Sequence, residues 1–454
     1  MKFDLKNKTT VIASILVLLI AVSIILLAII NPFKQVEYEK WEIQEHINGA
    51  AENSSFDHVS DYLRDWGMPT FDKTKLNYFD DCCNQLYNFG DGIPDTFTHA
   101  KLTASLFLEN QYDNIDKDNK TAVTDAILTC YITVLGDPYS IYRQPEETEI
   151  YTEDMSGKFG GIGVMVEYID QDESIMVNTV YPGSPAEKAG IKVGDFIYAV
   201  DGKTVEELNY RNAVNYVRGK IGTDVELTLI RDGEYVTVVA TRAEIEELNV
   251  VYEINEENNT GYVQIVAFKQ NTFDQFKEAI DTLEAAKVRG IIFDLRNNPG
   301  GYVDSVLAVI SYLIPDGKTV MSYQYKDRDR VVLVSDDDEG DHVVNLPFVV
   351  LCNQYTASAG EIFTAAIRDY RNEGIMDATI VGTTTYKKGI MQNTYYYPLD
   401  QSTVTLTVAY YNPPCGVNYH GIGVTPDVQV ENTETEDLQY DAAVIELEKL
   451  INDN

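Results

Sequence analysis

The sequence is poor in cysteine, histidine and positive charge. It contains five cysteines and five histidines, with no C-x-x-C or H-E-x-x-H pattern, so the common spacings of a zinc site are missing. Five cysteines are an odd and low number for a disulfide framework. The chain contains 35 Lys and Arg residues and 72 Asp and Glu residues, which gives a net charge of −37. Such a chain lacks the clustered cations that binding to nucleic-acid phosphates requires.

The remaining composition is that of a globular protein. With 454 residues, 44% of them hydrophobic, the chain can hold two or three domains with their own cores. Cys352 ends an apolar run and Cys415 lies in a tight Pro-Pro-Cys-Gly segment, so we predict that both are small core residues. No motif for a metal ion or a cofactor is present, and none is predicted.

The N-terminus carries one long uncharged run. Residues 11–30 contain no charge and would span about 30 Å as a helix, which is the thickness of a bilayer core. Lys2, Lys6 and Lys8 precede the run, and no A-x-A-like cleavage site follows it. We predict an uncleaved membrane anchor with a cytoplasmic N-terminus, so that residues after the anchor lie outside the cytoplasm.

A serine lies where a strand would pass into a helix. Residues 348–352 are apolar throughout and are predicted to form a buried strand, and residues 361–370 are predicted to form a helix. Ser358 lies between them in a run of small residues. This order places a serine oxygen at a helix N-terminus, where free N–H groups and the helix dipole favour negative charge. The same serine could instead be an ordinary helix cap.

Two lysines are candidate bases for this serine. A serine hydroxyl becomes a nucleophile when a base removes its proton, and a lysine can do so if burial lowers its pKa from about 10.4 to about 7–8. Lys387 and Lys388 would face opposite sides of a strand predicted over 384–394, and Gln392 would share the face of Lys388. We therefore choose Lys388, which is flanked by Ile390 and Met391.

Three segments together resemble the carboxyl-terminal processing peptidases, a family of serine peptidases. They are NQYTASAGEI (353–362), VGTTTYKKGIMQ (381–392) and DLRNNPGG (294–301). The resemblance implies that Ser358 is the nucleophile, Lys388 the general base and Gln392 the residue that orients the lysine. It also implies an oxyanion hole from the N–H of Ala359 and an N–H of the NPGG turn, for which we name Gly300.

The chain departs from the family pattern at three positions. Thr356 and Gly360 stand where the family has serines, and Lys387 stands where it has glycine. The serine-to-lysine interval is also a few residues longer, with the extra length in the loop 371–378. His420 could serve as a base in a Ser-His arrangement, but it matches no base position of the family.

Residues 154–244 resemble a PDZ domain. The resemblance rests on two segments, SPAEKAGIKVGDFI (184–197) and VDGKTV (200–205). A hairpin is also predicted at Asp232-Gly233. The loop Gly160, Gly161, Ile162 and Gly163 would present backbone N–H groups to the carboxylate of a peptide added as an edge strand. A plain β-turn is the alternative for these glycines.

Arg218 is a further candidate for peptide binding. It lies where the family carries a basic residue close to the bound peptide, and it could couple the PDZ domain to the active site. Alternatively it is a solvated cation at the C-terminus of a helix over 208–218.

The complete prediction is an α+β multidomain protein. It comprises an anchor (1–36), a helical region (37–153), a β-rich PDZ domain (154–244), a mixed α/β peptidase core of the ClpP/crotonase-like type (245–430) and a C-terminal helix (431–454). Helices in the second region are predicted over 41–47, 59–66, 75–87, 98–109 and 121–134. Further core elements are a strand over 260–268 and helices over 273–286, 302–314 and 437–450.

The predicted function is that of a membrane-anchored, extracytoplasmic serine endopeptidase that captures protein C-termini and uses a Ser-Lys dyad. Its partners are protein or peptide C-termini and the membrane, with no nucleic acid, and homo-oligomerisation is left open. The alternative is a catalytically silent PDZ scaffold, against which the joint presence of Ser358, Lys388 and Gln392 argues.

Overall fold

A computed structural model describes most of the chain after residue 70. The described residues are 59, 71–87, 96–111, 113–169, 174–336, 343–433 and 435–453. The anchor predicted over 11–30 and the helices predicted over 41–47 and 59–66 lie outside them, apart from the helical residue Val59. Within the described ranges, no helix is both long enough and apolar enough to span a bilayer.

The chain divides into two units, of which the first comprises Met1–Gln144 and Thr394–Leu406. Its described elements are α1 (Lys73–Cys83), α2 (Thr96–Asn110), α3 (Lys120–Val134) and β1 (Ile141–Arg143). Helix α1 ends four residues before its predicted end, and Asn84 caps it. At the starts of α1 and α3, Asp72 and Asn119 accept hydrogen bonds from helix N–H groups, as residues at N-caps do.

A buried lysine organises this unit. Lys75 Nζ donates to Asp125 Oδ1 and to Asp400 Oδ2, both over 2.8 Å, and the Tyr142 hydroxyl donates to Asp125 Oδ1 over 2.7 Å. An unpaired buried charge would be costly, so these bonds hold residues 394–406 against α1 and α3.

The second unit comprises Pro145–Asn393 and Thr407–Asn454 and begins with α4 (Pro145–Ser156). A β-rich module follows. Its elements are β2 (Lys158–Gly161), β3 (Val164–Ile169), β4 (Ser174–Val180), α5 (Pro185–Lys188), β5 (Phe196–Val200), β6 (Lys203–Thr204), α6 (Val205–Leu208), α7 (Tyr210–Val217), β7 (Asp224–Arg231), β8 (Glu234–Thr241) and β9 (Ala243–Glu246).

The module is one sheet with an antiparallel strand pair beside it. In the described residues the sheet order is β3-β4-β5-β7-β8, with β6 on β5, and β2 pairs with β9. The predicted hairpin at Asp232-Gly233 is confirmed: both residues have positive φ (52° and 84°), as a two-residue turn between twisted strands requires. Strand β3 is an edge, so a peptide can add to it.

The rest of the second unit is a mixed α/β core. Its elements are β10 (Val250–Asn255), β11 (Thr260–Ile265), α8 (Thr272–Ala285), β12 (Ile291–Asp294), α9 (Val303–Ser311), β13 (Thr319–Tyr325), β14 (Val331–Val334), β15 (Phe348–Cys352), α10 (Ala359–Asn372), β16 (Ala378–Gly382), β17 (Ile390–Tyr396), β18 (Thr403–Asn412), β19 (Val428–Gln429) and α11 (Leu438–Asp453). Residues 394–396 of β17 and 403–406 of β18 belong to the first unit.

The main sheet of this core has the order β10-β11-β12-β15-β16-β19, and all its pairs except β10-β11 are parallel. Neighbouring residues of β12 point to opposite faces of the sheet: Ile292 packs with Leu447 of α11, whereas the Phe293 ring contacts Phe276 of α8 and, edge to face, Phe363 of α10. Burial on both faces explains the continuous apolar runs of β12 and β15. Loops at the carboxyl ends of such strands are where ligand sites form.

Several sequence-based boundaries in this unit were wrong. The strand predicted over 384–394 begins only at Ile390, and the helix predicted over 302–314 is confined to Val303–Ser311. In the last helix, predicted over 437–450, Ala443 and Leu447 meet the sheet, whereas Ile445 is 57% exposed. Cys352 is buried as predicted, but Cys415 is exposed.

Candidate active site

Ser358 lies at the junction between β15 and α10. The strand ends at Cys352, and α10 begins at Ala359 with Ser358 as its N-cap, which confirms the predicted order of strand, turn and helix. Ser358 has φ 53° and ψ −116°, a conformation that L-residues rarely adopt and that costs about 1–3 kcal/mol. Strain of this kind persists only where surrounding contacts impose it.

Thr356 supplies part of that constraint. Its fully buried hydroxyl donates to Leu295 O over 2.7 Å and accepts from the Asn353 N–H over 2.9 Å. Its carbonyl accepts the Tyr386 N–H over 2.9 Å. The turn is therefore held to β12 on one side and to the lysine-bearing segment on the other.

Glu361 connects the serine turn to the lysine segment directly. Its carboxylate is fully buried and accepts four hydrogen bonds. The donors are Ser358 N (3.0 Å), Lys388 N (2.8 Å), Lys387 N (2.7 Å) and Thr385 Oγ1 (2.6 Å). Burial raises the pKa of the Glu361 carboxyl, while the four donors act in the opposite direction. Sequence reasoning missed this residue, although its position three residues after an N-cap serine is a recognisable capping signal.

Of the two candidate lysines, Lys388 makes the predicted contact. Its Nζ donates to Gln392 Oε1 over 2.7 Å, whereas the Lys387 side chain is exposed. The two lysines precede β17, so strand alternation is not the reason for this difference. Lys387 has φ 84°, a turn geometry that favours glycine.

The surroundings of Lys388 differ in part from the prediction. Ile390 and Met391 are buried, but Tyr386 is 50% exposed and Lys388 itself is half-buried. The Tyr411 hydroxyl donates to the Lys388 carbonyl over 2.5 Å, which fixes the lysine backbone from the side of β18.

The NPGG turn packs directly against the serine. A Cβ placed on Gly300 would lie 2.7 Å from the Ser358 Cβ and 2.9 Å from the Ala359 nitrogen, so only glycine allows this approach. Asn298 braces the turn, since its carbonyl accepts the Ala357 N–H over 2.9 Å and its Oδ1 accepts the Gly300 N–H over 2.8 Å. The Gly300 N–H therefore already has an acceptor, and its oxyanion-hole role stays a prediction.

Asp294 and Arg296 brace the approach to this turn. Arg296 Nη2 lies 2.6 Å from Asp294 Oδ2, and its Nη1 lies 2.6 Å from Asp437 Oδ1. Both groups are at the carboxyl end of β12. Their ion pairs therefore position the turn beside Ser358.

His420 contributes to the loop that follows β18. Its N–H donates to Asn418 Oδ1 over 2.7 Å, and its ring meets that of Tyr410 with the centroids 5.7 Å apart. Gly423, three residues after His420, lies close to the backbone of Thr385 and the side chain of Lys387: a Cβ at this position would be 2.9 Å from Thr385 O and 3.1 Å from Lys387 Cγ. The loop that carries the histidine thus contacts the lysine segment, and the Gly421 N–H donates to the Lys387 carbonyl over 3.0 Å.

The β-rich module carries a groove with a volume of about 210 Å³. It is bordered by β3 and α7 and is mostly apolar. Gly161, Ile162, Gly163 and Arg218 line it, as predicted for a peptide site. Gly160 does not: it lies in β2, where a Cβ would collide with the Gly219 carbonyl oxygen. The Arg218 guanidinium lies 4.1 Å from the centre of the Phe159 ring, at the end of the groove.

These features define a serine hydrolase core joined to a peptide-binding module, and comparison with known proteins agrees. Residues 259–430 match the model of peptidase family S41, and residues 176–231 match a PDZ domain. Over 328 residues the chain is 36% identical to the carboxy-terminal processing protease CtpA of Bacillus subtilis (strain 168), covering 72% of this chain and 68% of that protein.

Two further comparisons point the same way. A protein of Staphylococcus haemolyticus (strain JCSC1435) named Probable CtpA-like serine protease is 34% identical over 72% of this chain and 63% of its own length. A solved structure of a Bacteroides fragilis NCTC 9343 protein assigned to the S41 proteases shares the fold, with a TM-score of 0.52 at 16% identity, over 83% of this chain and 97% of that chain. The chain belongs to peptidase family S41, the carboxy-terminal processing serine proteases, and carries a PDZ domain.

Proposed function

We propose that this protein cleaves peptide bonds with a Ser358-Lys388 dyad. The observation that carries the proposal is the Glu361 carboxylate, which binds the backbone N–H groups of both residues and so fixes one relative to the other. The hydrogen bond from Lys388 Nζ to Gln392 Oε1 directs the amine and distinguishes Lys388 from exposed Lys387.

The chemistry follows from these positions. Neutral Lys388 takes the proton of the Ser358 hydroxyl as the serine oxygen attacks the peptide carbonyl carbon. The carbon–nitrogen bond then breaks, the leaving amine receives the proton from Lys388, and an acyl-enzyme remains. Lys388 next accepts a proton from water as the water oxygen attacks the ester carbon. The bond from that carbon to the Ser358 oxygen then breaks, and Lys388 returns the proton to this oxygen, which frees Ser358 and releases the carboxylic acid product. Gln392 orients the lysine and transfers no proton.

An oxyanion hole at the start of α10 stabilises the intermediate. Ala359 is the first residue of the helix, so its N–H has no acceptor within the helix, and the dipole of α10 favours negative charge there. The NPGG turn supplies the second donor. Gly300 can fill this role only if its N–H leaves Asn298 when the oxyanion forms.

The PDZ domain captures the C-terminus of the substrate. The free edge of β3 offers backbone pairing, the Gly161–Gly163 loop meets the carboxylate, and Arg218 provides a cation at the same end of the groove. Replacing Arg218 with alanine should remove the preference for a free C-terminus, which can be measured by comparing cleavage of one peptide as the acid and as the amide. Equal acid-to-amide ratios in the wild type and the variant would contradict this role.

The peptidase core belongs to the ClpP/crotonase-like type.

The uncharged run 11–30 anchors the protein in the membrane, and the peptidase lies outside the cytoplasm. The run and the three lysines before it support the anchor. External protease should digest the catalytic region of intact cells, and protection of that region would contradict the orientation.

Cleavage of casein by the full chain in detergent tests the proposed function. Wild-type protein should degrade casein, and the Ser358→Ala and Lys388→Ala variants should be inactive while remaining folded. Undiminished cleavage by Ser358→Ala would disprove the dyad. A folded wild-type chain that binds peptides but cleaves none would instead be a PDZ scaffold.

A further inference from the structure

The backbone of Lys388 is held by a side chain on each side of its Cα. Its N–H donates to Glu361 Oε2 over 2.8 Å, and its carbonyl accepts the Tyr411 hydroxyl over 2.5 Å. These two groups belong to the two planar peptide units that flank the Cα. Because φ and ψ are the rotations between those planes, the two hydrogen bonds restrain the direction in which the lysine side chain leaves the backbone.

Asn418, in the loop that follows β18, holds the next peptide unit. Its Nδ2 donates to the Gly389 carbonyl over 3.0 Å and also to the Tyr411 carbonyl. Its Oδ1 accepts the His420 N–H over 2.7 Å. The amide therefore joins the lysine segment to β18 and to its own loop. A carboxylate of the same shape could not do this, because it has no N–H for the two carbonyls.

The contact between this loop and the lysine segment is close. Gly389 is buried, and a Cβ placed on it would lie 2.8 Å from the His420 nitrogen and 3.2 Å from Asn418 Nδ2. The loop thus packs directly on the backbone of the residue after the proposed base. The regular part of β17 begins only at Ile390, so the peptide units before it are held by this packing and these donors.

Both ends of the loop are anchored near the active site. The Cys415 N–H donates over 2.9 Å to Asp369 Oδ2, a buried carboxylate on α10, the helix that Ser358 caps. Further along, the Val424 N–H donates to Thr385 Oγ1 over 2.8 Å, and the Thr385 N–H donates to the Val424 carbonyl over 3.2 Å. The loop is therefore fixed both to the serine helix and to the lysine segment.

Such fixation matters because a lysine amine is carried on a flexible four-carbon chain. Proton transfer needs the amine within about 2.6–3.2 Å of the serine oxygen, and a displacement of about 1 Å can cost about 100-fold in rate. The bond from Lys388 Nζ to Gln392 Oε1 directs the end of the side chain. Its origin depends on the backbone, which Tyr411 and Asn418 hold.

We propose that Tyr411 and Asn418 are positioning residues for the general base. Together they fix the two peptide units that follow the Lys388 Cα, and they thereby place the amine relative to Ser358. The inference rests on the proposed peptidase function and assigns no proton transfer to either residue.

The test measures how a saturating small fluorophosphonate labels Ser358 in the full chain in detergent. The final labelled fraction reports how much of the protein has a folded site, whereas the rate constant reports how well the base is placed in the molecules that react. Tyr411→Phe and Asn418→Ala should each lower the rate constant by about 10–100-fold and leave the final fraction unchanged.

Tyr370→Phe is the matched control. Tyr370 is a buried residue of α10, and its hydroxyl donates to the Thr319 carbonyl. This variant and Tyr411→Phe each lose a tyrosine hydroxyl that is bonded to a backbone carbonyl, so their urea midpoints should shift by similar amounts. Only Tyr411→Phe should slow the labelling. If Asn418→Ala does not fold, this pair of tyrosine variants decides the question.

A wild-type rate constant in Tyr411→Phe or in folded Asn418→Ala would overturn the inference, as would equal slowing in Tyr370→Phe. A lower final fraction with an unchanged rate constant would show a purely structural role and would overturn it too. A wild-type chain that neither cleaves casein nor takes up the probe at Ser358 would instead mean that the proposed function has failed. The two failures are therefore distinguishable.

Discussion

Glu361 Oε2 accepts the backbone N–H of Lys388 over 2.8 Å and, with the same oxygen, that of Ser358 over 3.0 Å. The proposed nucleophile and base are thirty residues apart in sequence, yet one buried carboxylate holds both of their backbones. The other oxygen holds Thr385 and Lys387. The proposed dyad is thus positioned by backbone contacts that do not involve the hydroxyl of Ser358 or the amine of Lys388.

Glu361→Gln should lower both activity and stability. An amide presents one acceptor oxygen where four donors converge, so at least one buried N–H loses its acceptor, at a cost of about 1–3 kcal/mol. We expect kcat/KM to fall by about 10–100-fold, because loss of this anchor displaces Lys388 relative to Ser358. Glu373→Gln, an exposed position at the end of α10, is the control and should change neither quantity. Wild-type kinetics in Glu361→Gln would show that the bridge is dispensable.

Ser358→Gly should be inactive but more stable than the wild type. The serine has φ 53° and ψ −116°, which glycine adopts without strain, so the free energy of unfolding should rise by about 1 kcal/mol. Ser358→Ala removes the same hydroxyl but keeps the Cβ, and it should not gain this stability. Urea unfolding of the three proteins measures the difference. Equal midpoints for the glycine and alanine variants would contradict strain at this position.

Lys387→Gly should also stabilise the protein while leaving cleavage intact. Lys387 has φ 84° at a position where the family has glycine, so removal of its Cβ should relieve about 0.5–1 kcal/mol of strain. Lys387→Ala keeps the strain and serves as the control for loss of the charge.

Lys388→Ala should be inactive, and Gln392→Ala should retain part of the rate. A loss of activity in Lys387→Ala equal to that in Lys388→Ala would reverse the assignment of the base.

The first unit should lose stability as the pH falls towards 4. His99 stacks on Tyr131, and burial lowers its pKa from 6.5 to about 4, although a hydrogen bond to the Tyr131 carbonyl opposes the shift. The unfolded chain then binds a proton at a higher pH than the folded one does. Stability is fully present above pH 6.5 and falls between 6.5 and about 4, by up to about 3 kcal/mol.

His99→Gln provides the comparison, because carboxylates also titrate in acid. The difference in melting temperature between pH 7 and pH 5 should be smaller in the variant than in the wild type. An identical difference in melting temperature in the two proteins would show that protonation of His99 does not cause the loss of stability.

Local sequence alone determined the catalytic turn and much of the secondary structure. A fully apolar run predicted β15 because both faces of a central parallel strand are buried, and Asp232-Gly233 predicted its hairpin because two positive φ values are required there. The motif around Ser358 likewise placed the serine at the start of α10, since small residues leave room for a tight turn.

Tertiary structure decided which side chains meet. No pattern along the chain indicates that Glu361 reaches Lys388, because that contact depends on the loop before β17 folding back over α10. Strand alternation selected Lys388 over Lys387, although neither lies in a strand; only the tertiary structure shows that Lys388 Nζ reaches Gln392 Oε1 while Lys387 is exposed. Packing alone likewise brings Lys269 to Glu247 and the Phe268 N–H to Gly300 O, in three separate segments.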